Sequence, residues 1–107
     1  PAHFPQAATF AVIDASFISL SLILKTVADV LAPAARLVTL IKPQFEAEPV
    51  DVLRGGVVRD TAVHQRIIER IQRIGEREVG LTWQGVCPSP LRGPAGNIEY
   101  LAYWTRP

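Results

Sequence analysis

A short apolar run that ends in a lysine and a proline constrains the fold of this chain more than any other stretch. Residues 37–41 (LVTLI) are mostly apolar and β-branched, a pattern typical of a strand buried on both faces. Pro43 disfavours the helical conformation at Lys42, so we expect Lys42 to be extended at the carboxyl end of this strand. In open α/β sheets, ligands bind at this edge. The run therefore predicts an α/β fold with Lys42 at a ligand-binding edge.

The segment before this run predicts a second strand and a connecting helix. Residues 10–13 form an apolar run closed by Asp14, and Ser16 or Ser19 can cap the helix that follows. Apolar residues then keep helical spacing at Leu20, Ile23, Leu24, Val27, Val30 and Leu31. We expect Ala32 and Pro33 to end this helix after about four turns. A strand, a helix and a strand make a βαβ unit, whose strands should be parallel and whose crossover should be right-handed.

The remainder of the chain predicts a loop, a second helix and two more strands. Residues 43–59 are expected to form a polar loop, and Gly55-Gly56 within it lacks the spacing of a P-loop, so a plain flexible turn is favoured over a phosphate cradle. Asp60 or Thr61 should cap the helix, and Gly75 or Gly80 should end it. Its buried stripe is expected to be Val63, Ile67, Ile71 and Ile74.

Residues 79–86 and 98–104 are the last two strand candidates. The connection between them is rich in proline and glycine and too short in helical content to cross over. We therefore expect the final strand to be antiparallel.

Composition excludes several classes of site. With 107 residues, the chain has the length of one domain, and a net charge of +1 does not by itself indicate nucleic-acid binding. Cys87 is the only cysteine, which excludes an intrachain disulfide and a multi-cysteine metal site and suggests a reducing, cytoplasmic setting. We expect Cys87 to be structural, in a proline-rich loop. His3 and His64 are expected at the surface rather than as metal ligands.

Neither a membrane span nor a signal peptide is predicted. The most apolar stretch, residues 17–24, is too short to cross a bilayer, and the amino-terminal residues lack a basic region followed by an apolar one. Residues 1–9 are expected to be a disordered or linker segment.

Four arginines on the second helix allow two interpretations. Arg66, Arg70, Arg73 and Arg77 follow helical spacing beside the apolar stripe. They could form a basic ridge for RNA phosphates. A solvated flank, whose arginine stems cover apolar surface and in which Glu69 pairs with Arg73, is the favoured alternative.

Three ionisable residues far apart in sequence are expected to meet at one edge of the sheet. Asp14 and Lys42 end parallel strands, so neighbouring strands about 5 Å apart would bring them within hydrogen-bonding reach. Glu99 lies near the start of the antiparallel strand, which is at the same edge. Such groupings are typical of catalytic sites. The alternative is a structural ion pair between Asp14 and Lys42, with Glu99 at a solvated strand end.

Four blocks of sequence resemble one known family. Residues 14–20 (DASFISL), 40–46 (LIKPQFE), 55–60 (GGVVRD) and 89–101 (SPLRGPAGNIEYL) together are similar to the carboxyl-terminal half of the TlyA family, the FtsJ-like ribosomal RNA 2'-O-methyltransferases that are often labelled hemolysin A. The blocks occur in the same order as in the family, and the resemblance covers almost the whole chain from Phe10 onward.

The resemblance implies a fold, a cofactor and a set of site residues. The fold would be part of a Rossmann-like methyltransferase sheet, comprising its strands four to seven and leaving one edge uncovered. The cofactor would be S-adenosylmethionine, and the family's Lys-Asp-Lys-Glu tetrad would place its aspartate, second lysine and glutamate at Asp14, Lys42 and Glu99. The implied cofactor-binding residues are Asp14, Ser16 and Phe17. The implied substrate-binding residues are Pro43, Gln44, Phe45 and Asn97.

The family's first tetrad lysine and its glycine-rich cofactor loop have no counterpart in residues 1–9. The chain therefore resembles a fragment, inactive alone, comprising the carboxyl-terminal half of a methyltransferase domain over residues 1–107. An RNA-binding S4-like segment would also lie upstream.

In an intact domain, Lys42 would act as the base or proton relay that activates a ribose 2'-hydroxyl, Asp14 would orient the lysine, and Glu99 would hold it in position. Phe17 and Phe45 could stack on a base or on the adenine ring, although core packing is the favoured role. The implied partner is ribosomal RNA or a ribosomal subunit in the cytoplasm, with no membrane and with a homodimer through the open sheet edge as one option. The alternatives are a hemolysin-type membrane-active protein and a non-catalytic RNA-binding or dimerising module.

Overall fold

The computed structural model describes residues 7–14 and 19–107, so the predicted site residues Ser16 and Phe17, and also His3, lie outside the described residues. The main elements are β1 (Ala8–Ile13), α1 (Leu20–Ala28), β2 (Leu31–Ile41), α2 (Pro43–Glu46), α3 (Thr61–Ile74), β3 (Thr82–Pro88) and β4 (Tyr100–Thr105). Shorter turns are the 3-10 turns Pro49–Asp51 and Pro94–Gly96 and the π-helical turn Gly75–Val79.

The four strands form one mixed sheet in the order β1-β2-β4-β3. β1 and β2 are parallel, as expected for strands joined by a helix. β4 lies between β2 and β3 and is antiparallel to both. The predicted α/β fold with a final antiparallel strand is therefore confirmed.

The core lies on one face of this sheet, beneath α1 and α3. On β2 the residues at alternate positions are buried, as the two-residue period of a strand requires: Ala35, Leu37, Thr39 and Ile41. The helices contribute Leu20, Leu24 and Ala28 from α1 and Val63, Ile67, Ile68 and Ile71 from α3. In the middle, the fully buried Trp104 of β4 donates an indole hydrogen bond to Thr39 Oγ1 at 3.0 Å.

Trp104 packs directly against Gly75, at the end of α3. A methyl group at position 75 would lie 2.2 Å from two carbons of the indole ring. Because Trp104 is enclosed and also packs edge-on against Trp83, with ring centroids 4.8 Å apart, it has little room to move.

We therefore expect Gly75→Ala to lower the free energy of unfolding by about 2–3 kcal/mol, the cost typical of overpacking a core. Urea denaturation monitored by tryptophan fluorescence measures this change. An unfolding midpoint equal to that of the unsubstituted chain would show that the indole ring can shift without cost.

The opposite face of the sheet is apolar and partly exposed. Phe10 and Val12 of β1 are 57% and 56% exposed, and they share this face with Val38 of β2 and Tyr103 of β4. Among the residues that the structure describes, β1 pairs with β2 alone. The sheet therefore has the uncovered edge that was expected at this position.

The first helix ends earlier than its apolar spacing indicates. α1 stops at Ala28, and the backbone N–H of Asp29 donates to the carbonyls of Lys25 and Val27. Leu31, expected in the helix, begins β2 and pairs with Ala8. The prediction was wrong because apolar residues three and four apart suit a buried strand as well as a helix when the run is short.

Pro33 lies within β2. From the sequence it was expected to end the preceding helix instead. Between the partner pairs Ala8–Leu31 and Phe10–Arg36, β1 advances two positions and β2 advances five, so the strand bulges. Ala34 in this bulge has a positive φ of 65°. Proline is tolerated here because a bulge interrupts the ladder of backbone hydrogen bonds.

Other boundaries also differ from the predictions. β1 begins at Ala8, so the expected linker does not extend to residue 9, and the expected loop at 43–59 contains α2 and a 3-10 turn. β3 begins at Thr82 because α3 continues into a π-helical turn that ends at Gly80, where φ is 84°. Such a left-handed end strongly favours glycine.

No helix in the described ranges is long and apolar enough to cross a membrane.

Candidate active site

Asp14 and Lys42 form an ion pair at the carboxyl edge of the sheet. Asp14 directly follows β1, and Lys42 directly follows β2 in an extended conformation (φ −116°, ψ 97°), as its position before Pro43 predicts. Lys42 Nζ contacts Asp14 Oδ1. The side chain of Lys42 is only 12% exposed, whereas that of Asp14 is 58% exposed. The predicted contact is therefore present, with the amine enclosed and the carboxylate open to solvent.

Glu99 lies at the same edge, at the start of β4. Ile41 and Tyr100 are the last paired residues of β2 and β4, so Lys42 and Glu99 occupy the next position on each strand. Glu99 is buried and accepts a hydrogen bond of 2.7 Å from Gln44 Nε2. Strand direction thus brings all three ionisable residues to one edge of the sheet.

A glycine makes room for the Glu99 carboxylate. A methyl group at Gly93 would lie 2.1 Å from Glu99 Oε2 and 3.1 Å from Gln44 Nε2. The loop that carries Gly93 therefore packs directly on this pair. Gln44 Oε1 is a buried acceptor without a hydrogen bond in the described structure, so Gln44 offers an unused acceptor beside Glu99.

Glu46, which was not predicted as a site residue, joins α2, the helix that follows Lys42, to the start of α1 and to α3. Its buried carboxylate accepts hydrogen bonds of 2.7 Å from Ser19 Oγ, from the backbone N–H of Leu20 and from Arg70 Nη2. Ser19 is the N-cap of α1, so a negative charge lies at the start of that helix, where it is favourable. The sequence signal was the glutamate closing the K-P-Q-F-E block.

Asn97 fastens two loops behind the site. It is almost completely buried, and its Oδ1 accepts from Val58 N at 2.9 Å. Its Nδ2 donates to Gly56 O at 3.0 Å and to Pro94 O at 2.8 Å. These contacts give Asn97 a structural role, and its contact with substrate stays a prediction. Pro43 is likewise buried, and Phe45 is half-buried.

His64 is buried, so the prediction of a surface histidine was wrong. One ring nitrogen is 2.9 Å from Tyr100 Oη and the other is 2.7 Å from Val58 O. His64 is buried because it is next to Val63, which belongs to the face of α3 that packs on the sheet. Burial raises the pKa of the Tyr100 hydroxyl above its usual value.

The arginines of α3 do not form a free basic ridge. Arg70 pairs with Glu46 at 2.7 Å, and Arg66 lies 3.9 Å from Asp51. A cavity of about 210 Å³ beside them is lined by three arginines and three acidic residues, so its formal charge is zero. These ion pairs fit the interpretation as a solvated flank better than a phosphate-binding ridge, while the expected pair of Glu69 and Arg73 stays a prediction.

Cys87 lies near the end of β3 rather than in the candidate site. Cys87 is exposed and lies in β3, so its expected position in a loop was wrong, whereas its structural rather than catalytic role stays a prediction. β3 is an edge strand of the sheet. No group of three or more histidine, cysteine or acidic side chains in residues 7–14 and 19–107 is arranged to hold a metal ion.

The described residues fit one part of an S-adenosylmethionine site. The Asp14 carboxylate is more than half exposed and uses one oxygen in its ion pair with Lys42. A carboxylate in this position suits the positively charged sulfonium group of the cofactor. Ser16 and Phe17 lie outside the described residues, so their predicted contacts with the cofactor stay predictions.

A family model described as FtsJ-like methyltransferase matches residues 2–106 of the chain. YqxC of Bacillus subtilis, provisionally named an rRNA methyltransferase, is 41% identical over 104 residues. Hemolysin A of Brachyspira hyodysenteriae is 43% identical over 95 residues. The 16S/23S rRNA (cytidine-2'-O)-methyltransferase TlyA of Mycobacterium tuberculosis is 41% identical over 95 residues. These matches cover 96%, 85% and 89% of this chain but only 37%, 38% and 35% of the three relatives.

A solved structure from Lactococcus lactis, of a protein that carries a provisional hemolysin name, has the same fold. Its TM-score against this chain is 0.90, with 38% sequence identity. The match covers 97% of this chain and 49% of the solved chain. The chain therefore spans little more than a third of its curated relatives and about half of this solved structure.

Proposed function

This chain belongs to the FtsJ-like methyltransferase family, and on that basis we propose that it is the carboxyl-terminal part of a catalytic domain that methylates a ribose 2'-hydroxyl of ribosomal RNA. The proposed methyl donor is S-adenosylmethionine. The name of the TlyA relative, a cytidine-2'-O-methyltransferase acting on 16S and 23S rRNA, supports both the substrate and the position of the methyl group. Such a reaction would take place in the cytoplasm, where ribosomes are found.

The observation that carries this proposal is the enclosed Lys42 amine paired with Asp14 at the carboxyl edge of the sheet. This edge is where ligands bind in open α/β sheets. A structural ion pair alone does not need a third buried acid on the neighbouring strand, yet Glu99 lies there. The resemblance described above assigns the family's Asp, second Lys and Glu to the same three residues.

In the proposed mechanism, Lys42 handles the proton of the attacking hydroxyl. The Lys42 amine would accept this proton in its neutral form, or relay it by passing its own proton to solvent, as the ribose oxygen becomes a nucleophile. The Asp14 carboxylate beside it would stabilise the ammonium group that results. S-adenosylmethionine, if held here, would supply an electrophilic methyl group for transfer to the ribose oxygen and would leave as the neutral thioether. Asp14 would also face the sulfonium charge, with Ser16 and Phe17 holding the cofactor.

Alignment of the two reacting atoms is the main contribution that a protein can make to such a displacement. The Gln44–Glu99 hydrogen bond and the close packing of Gly93 would fix the wall of the site. Gln44, with its unused acceptor, would contact the substrate together with Pro43, Phe45 and Asn97.

The test is methyl transfer by a chimera in which this chain replaces the matching segment of M. tuberculosis TlyA. Ribosomal subunits lacking the modification are incubated with S-adenosylmethionine labelled in its methyl group. We expect labelled RNA that survives alkaline hydrolysis as a dinucleotide, because a 2'-O-methyl group removes the hydroxyl that attacks the phosphodiester bond. A chimera that folds and binds cofactor, yet transfers no methyl group or modifies a base, would contradict the proposal.

The two other functions have less support. A membrane-active function is favoured only by the hemolysin names of some relatives. A dimerising module is favoured by the open edge of β1 and the exposed Phe10 and Val12. Neither function gives a role to the Asp14–Lys42 pair.

A further inference from the structure

A second cavity, on the loops behind the candidate active site, carries a positive charge that the proposed reaction has not used. It has a volume of about 280 Å³ and lies between Arg59 and Arg92, with Gly96 and Ile98 in its wall. Both arginines are exposed. Its size is just below the range of small-molecule pockets, about 300–1,000 Å³, and suits one phosphate group with part of a sugar.

The charge of this cavity differs from that of the cavity beside α3. The α3 cavity has three arginines balanced by three acidic residues. The lining of the second cavity contains two arginines and no acidic residue. Its buried histidine, His64, already has hydrogen bonds at both ring nitrogens. The lining of the second cavity therefore holds no carboxylate, while Arg59 also borders a further cavity, of about 420 Å³, that Asp51 and Asp60 line.

The nearest acidic residues in sequence have other partners. Asp60, next to Arg59, accepts a hydrogen bond from Ala62 N and caps α3. Glu99 accepts from Gln44. Arg92 donates to Gly96 O at 3.3 Å, a weak contact that leaves most of its donors available.

One loop of the chain connects the cavity to the candidate active site. Arg92 precedes Gly93, which packs against the Glu99 carboxylate. Asn97 ties this loop to Gly56 and Val58, on the loop that carries Arg59. Arg59 and Arg92 therefore lie on two loops that Asn97 joins by hydrogen bonds.

We propose that Arg59 and Arg92 bind a backbone phosphate of the RNA substrate, next to the nucleotide whose ribose is presented to Lys42. This inference rests on the proposed function for the identity of the ligand. Guanidinium groups suit phosphate because their planar donors match two phosphate oxygens at once. The site would fix the register of the RNA strand without reading its bases.

The test measures binding of the full chain to a labelled single-stranded oligouridylate, by fluorescence anisotropy over a range of salt concentrations and without methyl donor. We expect the double substitution Arg59→Ala with Arg92→Ala to weaken binding by about tenfold at low salt. We also expect the slope of log affinity against log salt to fall by about 0.7, because the two arginines share one phosphate and each phosphate contact with a single strand contributes about 0.7.

Two further variants serve as controls. Arg59→Lys with Arg92→Lys keeps both charges and should retain most of the salt dependence. Arg77→Ala removes an exposed arginine beyond the far end of α3, whose 14 residues span about 21 Å, and should leave binding unchanged. Circular dichroism checks that each variant is folded.

The proposal is overturned if the double alanine variant binds like the unsubstituted chain, if Arg77→Ala weakens binding equally, or if the unsubstituted chain does not bind the probe at low salt. The same variants in the TlyA chimera separate this inference from the proposed function. Arginine-dependent binding without methyl transfer would remove the proposed function alone. Lys42-dependent methyl transfer that is indifferent to both arginines would remove the phosphate site alone.

Discussion

Replacing Lys42 with alanine in the TlyA chimera is expected to reduce the single-turnover rate of methyl transfer by about a thousandfold, within the range that a general acid or base contributes. The substitution removes the only amine at the carboxyl edge of the sheet that this chain can supply, since Lys25 is its only other lysine. RNA binding should change little, because phosphate contacts elsewhere hold the strand.

Lys25→Ala is the matched control. Lys25 is exposed on α1, where it pairs with Asp29 one helical turn away, and we expect no change in rate. Lys42→Arg separates the two interpretations of the ion pair with Asp14. Arginine keeps the charge and can keep the pair, but it does not release a proton in proteins. A rate near that of the unsubstituted chimera for Lys42→Arg would make the pair structural and would remove Lys42 from proton transfer.

Replacing Glu46 with alanine is expected to lower the free energy of unfolding by about 2–4 kcal/mol. The substitution leaves the buried N–H of Leu20 without an acceptor and removes the negative charge at the start of α1. Arg70 loses its carboxylate partner but is about one-third exposed, so water can replace part of that contact. Because one carboxylate joins α1, α2 and α3, we also expect faster proteolysis near the start of α1.

Glu48→Ala is the control for this substitution. Glu48 lies two residues further on and is exposed, so its removal should change stability by less than about 0.5 kcal/mol. Glu46→Gln should be intermediate, because the amide oxygen can still accept a hydrogen bond while the charge is lost. Chemical denaturation of the full chain measures all three variants, and equal midpoints for Glu46→Ala and Glu48→Ala would contradict the role of Glu46.

The carboxyl edge of the sheet could be predicted because strand direction determines it. Asp14 and Lys42 follow apolar runs joined by a helix, so the two runs had to be parallel and their ends had to meet. Glu99 could be assigned to the same edge because the connection before the last strand is too short to cross over. That strand is therefore antiparallel, and its start lies at this edge. These inferences use only the order and length of the elements, which local sequence patterns specify well.

The surroundings of the site could not be predicted in the same way. The hydrogen bonds of Glu46 reach residues 26 and 24 positions away in the chain, and that of Gln44 to Glu99 spans 55 positions. No local pattern distinguishes these partners from other polar residues. The second cavity likewise depends on two loops that Asn97 joins across 39 positions.

The sequence by itself determined the sheet, the direction of its strands and the edge at which Asp14, Lys42 and Glu99 are found, because apolar period, proline and connection length act over a few residues. Only the tertiary structure decided which side chains are buried and paired there. His64 in the core, Glu46 at the start of α1, and the arginines divided between a neutral and a positive cavity all depend on packing between distant segments. Burial makes an unpaired polar group costly, and it is this cost that selects each partner.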